Sequence, residues 1–314
     1  MGKDELIIQT HDLTKRFGKV KAVDGVNLEV PRGCVFGLAG RNGAGKTTLI
    51  RMILGLLEPT KGSSAALGLD PRRQDVLLRR QVGYVPEEHH IYRWMKVREV
   101  LHFCEPFYPT WDGAHANELL ERFDLDPEKK IDALSKGMVA KVALTLALAH
   151  HPPLLVLDEP TSGLDVIVRR EFLESIVRLI SEEGKTVLMS SHLLDDVERV
   201  VERLAFLDEG KLVLTEDMAS LKARFRRMRV SFENEAPERL NIAGIRRVER
   251  DGRRLEITFD QFGPQTQAAL QAACPGAQIA DERLGLEDIF VELVGKTELP
   301  GNPHERELSA KEAR

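Results

Sequence analysis

A glycine-rich segment constrains this 314-residue chain more than any other feature. Residues 40–47 read Gly-Arg-Asn-Gly-Ala-Gly-Lys-Thr and match the pattern GxxxxGK[ST]. The segment follows Cys34–Leu38, which we predict to be a strand, and opens the helical spacing of Thr47–Leu57. Glycines let backbone N–H groups turn inward around phosphate oxygens, and the positive end of a helix adds to the attraction. The segment therefore predicts a phosphate-binding loop.

The side chains of this loop have separate expected tasks. Lys46 reaches the β- and γ-phosphates as a point charge, and Thr47 offers its hydroxyl to Mg²⁺. The alternative is a chance glycine-rich turn, which the preceding strand and the following helix disfavour. The predicted nucleotide-binding positions are Gly40, Asn42, Gly43, Ala44, Gly45, Lys46, Thr47 and Thr48.

Two acids follow an apolar run later in the chain. Leu154–Leu157 is a predicted buried parallel strand, and it delivers Asp158 to the metal side of the phosphates. Glu159, one residue further, can polarise the attacking water as a general base. Either acid alone could instead cap the next helix. The pair downstream of Lys46 predicts a P-loop NTPase.

Further ordered segments narrow this class. Leu134-Ser135-Lys136-Gly137-Met138 precedes a predicted helix, residues 158–165 read DEPTSGLD, and His192 follows a strand that ends Met189-Ser190-Ser191. With the phosphate loop, these segments resemble the signature, D-loop and switch histidine of the ATP-binding subunit of ABC transporters. The resemblance covers residues 5–215 and implies ATP hydrolysis with ATP and Mg²⁺ as cofactors.

The resemblance also implies roles for single residues. Ser135 and Gly137 would bind a γ-phosphate, and His192 would hold that phosphate and the attacking water as a catalytic residue. Phe17 falls where the family stacks adenine, although a core Phe at a strand end is the alternative. Glu87 stands where the family has Gln and would offer oxygen to Mg²⁺. Lys136 either reaches phosphate or faces solvent.

The expected fold is α/β. The resemblance implies a P-loop NTPase with a RecA-like parallel sheet core, an N-terminal antiparallel β subdomain, a helical subdomain insertion and a small α+β C-terminal domain. Near the N-terminus, Val26–Val30 is a predicted single strand. The expected boundaries are 5–215 for the ATPase domain, about 88–151 for its helical insertion, 225–296 for the accessory domain and 297–314 for a disordered tail.

One phosphate loop and one signature segment imply a head-to-tail homodimer, or a heterodimer with a related ATPase. The substitutions at Glu87 and Lys136 resemble the type-2 exporter branch, in which the permease is a separate polypeptide. We expect that permease to dock near Ile91, Tyr92, Trp94 and Met95, although any of these side chains could instead fill the core of the helical insertion.

Two other functions compete with export. One is a soluble ABC ATPase acting on nucleic acid or ribosomes, favoured only by the basic run Arg224, Arg226, Arg227 and Arg229. A solvated helix face or lipid headgroups explain that run equally well. A net charge of −5 and 5% aromatic residues argue against nucleic acid. The other, a non-catalytic binding module, is disfavoured by the intact set Lys46, Asp158, Glu159 and His192.

The location follows from the ends and the hydropathy of the chain. Its N-terminus lacks the apolar segment of a secretory signal, and no apolar run approaches the ~20 residues of a membrane helix. We therefore expect a cytoplasmic protein that reaches the inner face of the cell membrane through its permease.

Overall fold

The computed structural model describes residues 5–294, without the side chains of 179–183 and 294. The chain divides into two units, and the division falls between Asp217 and Met218. Each unit has its own sheets. Within residues 5–294 no helix is long and apolar enough to cross a membrane. The tail expected at 297–314 lies outside the described residues.

A six-stranded sheet forms the centre of the first unit, in the order β10-β9-β4-β8-β7-β6. All neighbours pair in parallel except β10, which runs antiparallel to β9. Every residue of β4, β7 and β8 is buried, as expected for strands covered on both faces. The strands are β4 (Val35–Ala39), β6 (Val82–Val85), β7 (Leu154–Asp158), β8 (Thr186–Ser191), β9 (Arg203–Asp208) and β10 (Lys211–Asp217).

An antiparallel sheet precedes it, built around the long strand β1. The single strand predicted at Val26–Val30 is wrong, because β2 ends at Val26 and β3 begins at Glu29. Between them, Asn27 Oδ1 accepts from the Asp12 backbone N–H at 2.9 Å, opposite an irregular stretch of β1. The strands are β1 (Leu6–Phe17), β2 (Val20–Val26), β3 (Glu29–Pro31) and β5 (Lys61–Ala66).

Helices fill the connections of the first unit. The stretch between β6 and β7 contains α3, α4, α5 and two short 3-10 helices, Glu105–Phe107 and Ile131–Ala133, in agreement with the helical character expected there. The helix α5 is apolar almost all round and is correspondingly buried. The helices are α1 (Lys46–Ile53), α2 (Asp75–Arg79), α3 (Val97–Cys104), α4 (Gly113–Arg122), α5 (Lys136–Leu148), α6 (Val166–Glu183) and α7 (Leu194–Val200).

The second unit is a small α+β domain, as the sequence predicted. Its antiparallel sheet has the order β12-β13-β11-β14, and one face covers a core that includes Val230, Ile257, Phe259 and Leu270. Its elements are α8 (Met218–Arg224), β11 (Arg226–Ser231), β12 (Ile245–Asp251), β13 (Arg254–Phe259), α9 (Pro264–Ala273), β14 (Gln278–Glu282) and α10 (Leu286–Val294).

Three of the four arginines of the basic run form ion pairs within the second unit. Three of its arginines lie on the strand β11, so the run does not form a solvated helix face. Arg224 Nε lies 2.8 Å from Asp260 Oδ1, and Arg229 Nη2 lies 2.9 Å from Glu282 Oε2. Arg227 contacts both Glu256 and Asp288. These ion pairs weaken the one feature that favoured a nucleic-acid partner.

Candidate active site

The phosphate loop follows β4 and opens α1, as its motif requires. Two of its glycines, Gly43 at φ 83° and Gly45 at φ 104°, occupy the left-handed region that L side chains rarely adopt. A Cβ atom on Gly45 would lie 2.2 Å from the Ala22 carbonyl oxygen, so glycine is also required by packing. Ala44 is buried, whereas Asn42 is exposed and Thr48 is half-buried. The loop therefore offers backbone N–H groups at the start of a helix.

Lys46 is buried in this loop and fully engaged. Its Nζ donates to the carbonyl oxygens of Gly40 at 2.7 Å and Arg41 at 3.2 Å. The same Nζ lies 2.9 Å from Glu159 Oε1, and both side chains are only 5% exposed. The angles of that last contact do not fit a directed hydrogen bond, so the attraction is electrostatic. A buried ion pair thus joins the phosphate loop to the end of β7.

Asp158 lies at the carboxyl end of β7, beside the loop. Its Oδ1 accepts from Thr47 Oγ1 at 3.1 Å and from Ser190 Oγ at 2.7 Å. Burial raises the pKa of Asp158, and the two hydroxyl donors oppose that rise. Its Oδ2 is buried without a hydrogen-bond partner among the described residues. An orphaned carboxylate oxygen beside a threonine hydroxyl is the oxygen donor set that Mg²⁺ prefers, so these residues fit the metal.

Glu159 has an unusual backbone conformation at the end of β7. Its φ is 49°, a conformation rare for a non-glycine residue. Its N–H donates to Ser190 Oγ at 2.9 Å, which fixes the turn after β7. Its Oε2 lies 2.7 Å from His192 Nδ1 and accepts from the His192 backbone N–H at 3.2 Å. The structure therefore brings together Lys46, Asp158, Glu159 and His192.

Phe17 and Glu87, two further predicted site residues, each lie at or just beyond the end of a strand. Phe17 ends β1 and is 52% exposed, so it is not a core side chain, and Lys15 Nζ lies 5.3 Å from its ring centroid. Glu87 is exposed just beyond β6, which pairs with β7 through Val85 and Leu157. Glu87 therefore lies beyond the carboxyl end of β6, and Asp158 lies at the carboxyl end of the neighbouring parallel strand β7.

The signature segment lies at the start of α5. Ser135 is exposed and caps α5, with its Oγ accepting from the Met138 N–H at 3.3 Å. Gly137 is buried, and a Cβ atom there would lie 2.4 Å from Val168 Cγ1. Lys136 is exposed. Across residues 5–294, no hydrogen bond or ion pair joins Ser135 or Gly137 to the phosphate loop.

Sequence reasoning missed Ser190. This side chain bonds both Asp158 Oδ1 and the Glu159 N–H, so it sets the positions of both acids. The available signal was weak: a serine at the end of a predicted strand, two residues before His192. The contact depends on the pairing of Asp158 with Ser190 across β7 and β8, which spacing along the chain does not reveal.

A phosphate loop on a parallel sheet, with acids at the end of a neighbouring strand, defines the chain as a P-loop nucleoside triphosphatase. The family model "ABC transporter" matches residues 23–162. The Bacillus subtilis protein named uncharacterized ABC transporter ATP-binding protein YhaQ is 37% identical over 292 residues, covering 90% of this chain and 97% of that protein. The chain belongs to the ATP-binding proteins of ABC transporters.

Two further relatives fit this assignment. The bacitracin transport ATP-binding protein BcrA of Bacillus licheniformis is 34% identical over 299 residues, covering 92% of this chain and 97% of that protein. The dimeric post-hydrolysis structure of the ATP-binding cassette MJ0796, bound to ADP and Pi, has a TM-score of 0.60 at 25% identity. It covers 67% of this chain and 98% of that one.

These comparisons confirm the predicted class. The protein is the ATP-binding subunit of an ABC transporter, an ATPase that uses ATP with Mg²⁺. Cassettes of this family dimerise and work with membrane permeases. Nothing in the comparisons favours a nucleic-acid partner.

Proposed function

We propose that this chain powers the export of a substrate by a separate permease, as a head-to-tail homodimer that holds two ATP molecules between its copies. The relative named for bacitracin transport supports an export role. The permease would hold the protein at the cytoplasmic face of the cell membrane. The observation that supports permease docking is a row of exposed aromatic side chains on the helical insertion.

Different residues of the site would bind different parts of ATP. Lys46 would bind the β- and γ-phosphates, the loop N–H groups would surround them, and Phe17 would stack on the adenine. Mg²⁺, held by Thr47 and Asp158 with Glu87 nearby, would neutralise developing charge on the phosphates. Lys46 is now neutralised by Glu159, so phosphate oxygens at Lys46 would replace that carboxylate.

Release from Lys46 would leave Glu159 free to act as the general base. Its Oε2 remains held by His192 at 2.7 Å, so the carboxylate keeps a fixed direction when its other oxygen changes partner. A positioned carboxylate can accept the proton of an attacking water. His192 would therefore orient the general base, in addition to holding the γ-phosphate and the attacking water, which is the role that the family resemblance implies for it.

Two copies are needed because one chain does not complete the site. Ser135 is exposed and makes no contact with the phosphate loop of its own chain among the described residues. Ser135 and Gly137 would instead contact the γ-phosphate bound to Lys46 of the second copy. The dimeric neighbour bound to ADP and Pi supports this arrangement. Because each chain carries one phosphate loop and one signature segment, two identical subunits would be enough to form two complete sites.

The permease would dock on an aromatic surface formed by Tyr92, Trp94, Phe103 and Phe107. All four rings are exposed, and Trp94 is 66% exposed. They form a continuous row, with ring centroids 6.0 Å apart for Tyr92 and Trp94, 5.7 Å for Tyr92 and Phe103, and 5.8 Å for Phe103 and Phe107. Adjoining exposed aromatic rings are characteristic of a protein interface.

The side chains expected at this surface divide into two groups. Tyr92 and Trp94 do not fill the core of the helical insertion, whereas Ile91 and Met95 are half-buried. Phe103 and Phe107 join the surface from α3 and the short helix after it. An amphipathic cytoplasmic helix of a permease would bury its apolar face against these rings.

The aromatic surface is tied to the signature segment through the backbone. The Ile131 N–H donates to the Met95 carbonyl at 2.9 Å, and the Asp132 N–H donates to the Arg93 carbonyl at 3.0 Å. Ser135 follows three residues after Asp132. A permease that moves the aromatic surface would therefore move the residues that grip the second copy's ATP.

Replacement of Trp94 by Ala tests the docking proposal. The transporter would be purified from detergent-solubilised membranes through a tag on this chain. We expect Trp94→Ala to reduce the recovered permease by about tenfold or more, since a central aromatic anchor contributes strongly to an interface. The ATPase rate of the isolated chain should remain within about twofold of wild type, because Trp94 lies outside the active site.

Leu77→Ala provides the matched control, because Leu77 is an exposed apolar side chain on α2, outside the aromatic surface. This variant should retain the permease. Equal retention by both variants would contradict docking on the aromatic surface, and loss of folding in Trp94→Ala would show that Trp94 has a structural role.

A further inference from the structure

A buried carboxylate that the ATPase account does not use lies in the first turn of α7. Asp196 is 4% exposed, and its Oδ2 accepts a hydrogen bond of 2.7 Å from the hydroxyl of Thr161, which is 2% exposed. Arg169 Nε lies 3.9 Å from the same oxygen. Burying a carboxylate is costly unless it is paired and hydrogen-bonded, and here both conditions are met.

The two partners of Asp196 come from the segment that follows the general base. Thr161 lies two residues after Glu159, and Arg169 lies in the first turns of α6. The turn between them is tight: the Ser162 N–H donates to the Glu159 carbonyl at 3.0 Å, and the Leu164 N–H donates to the Thr161 carbonyl at 3.2 Å. A shift of Thr161 would therefore move the backbone of Glu159.

Asp196 is also linked to the switch histidine. It lies four residues after His192, and its N–H donates to the Leu193 carbonyl at 3.2 Å. Two side-chain contacts thus connect the same pair of segments: His192 with Glu159 at 2.7 Å, and Asp196 with Thr161 at 2.7 Å. The first contact includes the Glu159 carboxylate itself. The second holds Thr161, which lies in the turn that directly follows Glu159.

We propose that Asp196 is a positioning residue for ATP hydrolysis, which acts through the Thr161 hydroxyl to keep Glu159 at its working distance from His192. The left-handed backbone of Glu159 needs such support, because that conformation is unfavourable for a glutamate and persists only when its surroundings enforce it. Arg169 braces the far end of the same turn, since its Nη2 donates to the Leu164 carbonyl at 3.3 Å.

Substitutions at Thr161 separate positioning from general packing. Thr161→Val preserves the shape of the side chain but removes the hydroxyl, whereas Thr161→Ser preserves the hydroxyl and removes a methyl group.

We expect Thr161→Val to lower kcat by about tenfold or more, since small misplacements of catalytic groups carry large costs. The KM for ATP and the affinity for a fluorescent ATP analogue should stay within about twofold of wild type, because Lys46 and its loop are unchanged. Thr161→Ser should restore kcat to within about threefold.

Asp196→Ala removes the acceptor, and Asp195→Ala is its matched control, because Asp195 is the preceding acid on the same helix and is exposed. Asp196→Ala should lower kcat at least as much as Thr161→Val, since it removes the partner of both Thr161 and Arg169. Adding Thr161→Val to Asp196→Ala should cause no further loss, because the hydrogen bond between the two residues is already absent. Asp195→Ala should behave as wild type.

Three results would overturn the proposal. The first is a Thr161→Val protein that folds and keeps kcat within about twofold of wild type. The second is a Thr161→Ser protein as slow as Thr161→Val, which would show that the position tolerates no change in its side chain and that the hydroxyl does not set the rate. The third is a KM that rises while kcat is unchanged, which would place Thr161 in ATP binding. If Asp196→Ala fails to fold, the two Thr161 variants still decide the question.

Discussion

At the scale of single residues, the active site is a chain of short contacts from Lys46 to His192 through Glu159. The phosphate-binding loop and the acidic strand end predicted Lys46 and Glu159 from their chemistry, and the family resemblance implied His192. The motifs could not predict that Lys46 and Glu159 pair directly, nor that Ser190 fixes Asp158. Those contacts depend on which strands are neighbours and in what register.

The role of Glu159 leads to a prediction about turnover. Glu159→Gln should lower kcat by about 10²–10⁴, because an amide cannot accept the proton from the attacking water. ATP binding should be preserved or tightened, since the substitution removes a negative charge 2.9 Å from the Lys46 ammonium. Steady-state hydrolysis and equilibrium nucleotide binding are the measurements.

Glu58→Gln is the control for that experiment, because Glu58 is an exposed glutamate outside the site. It should hydrolyse ATP at the wild-type rate. Near-normal hydrolysis by Glu159→Gln would show that another group takes the proton.

At the scale of elements, a buried strand with an apolar run was predictable, whereas two edge strands of the second unit were not. Leu154–Leu157 reads as a buried strand, and the structure places β7 there. The sequence pattern missed β12 and β14, which are edge strands without a buried residue and therefore lack an apolar period. The split between β2 and β3 was missed because Asn27 fits the apolar–polar alternation of Val26–Val30, so the pattern shows no break.

The contact between β6 and α5 leads to a second prediction. A Cβ atom on Gly83 would lie 2.3 Å from the Ala147 carbonyl oxygen, so the backbone of the two elements must separate to admit it. Gly83→Ala should destabilise the protein by about 1–3 kcal/mol, the usual cost of overpacking. Denaturant unfolding of the full chain measures this change.

Gly113→Ala is the matched control, because a Cβ atom there meets no other atom within 4 Å and Gly113 opens the helix α4. Its effect should be neutral or stabilising by up to about 1 kcal/mol, since alanine is the better helix former. Equal destabilisation by the two substitutions would show that the close approach at Gly83 is not the cause.

At the scale of the whole molecule, the chain combines a nucleotide-binding unit with a small α+β unit that carries its own core. The family resemblance predicted both, but no motif of the second unit indicates its task. In the first unit Ser135 is exposed and, within residues 5–294, forms no hydrogen bond or ion pair with the phosphate loop of the same chain. We therefore propose that two molecules together complete the catalytic arrangement.

Sedimentation of the Glu159→Gln protein tests this pairing most directly. With ATP and Mg²⁺, the variant should sediment as a dimer of the 35.3 kDa chain, because uncleaved γ-phosphate continues to join Lys46 of one copy to Ser135 of the other. Without nucleotide, or with Ser135→Arg added, it should sediment as a monomer. A Glu159→Gln protein that binds ATP yet stays monomeric at all concentrations, with or without its permease, would contradict the account.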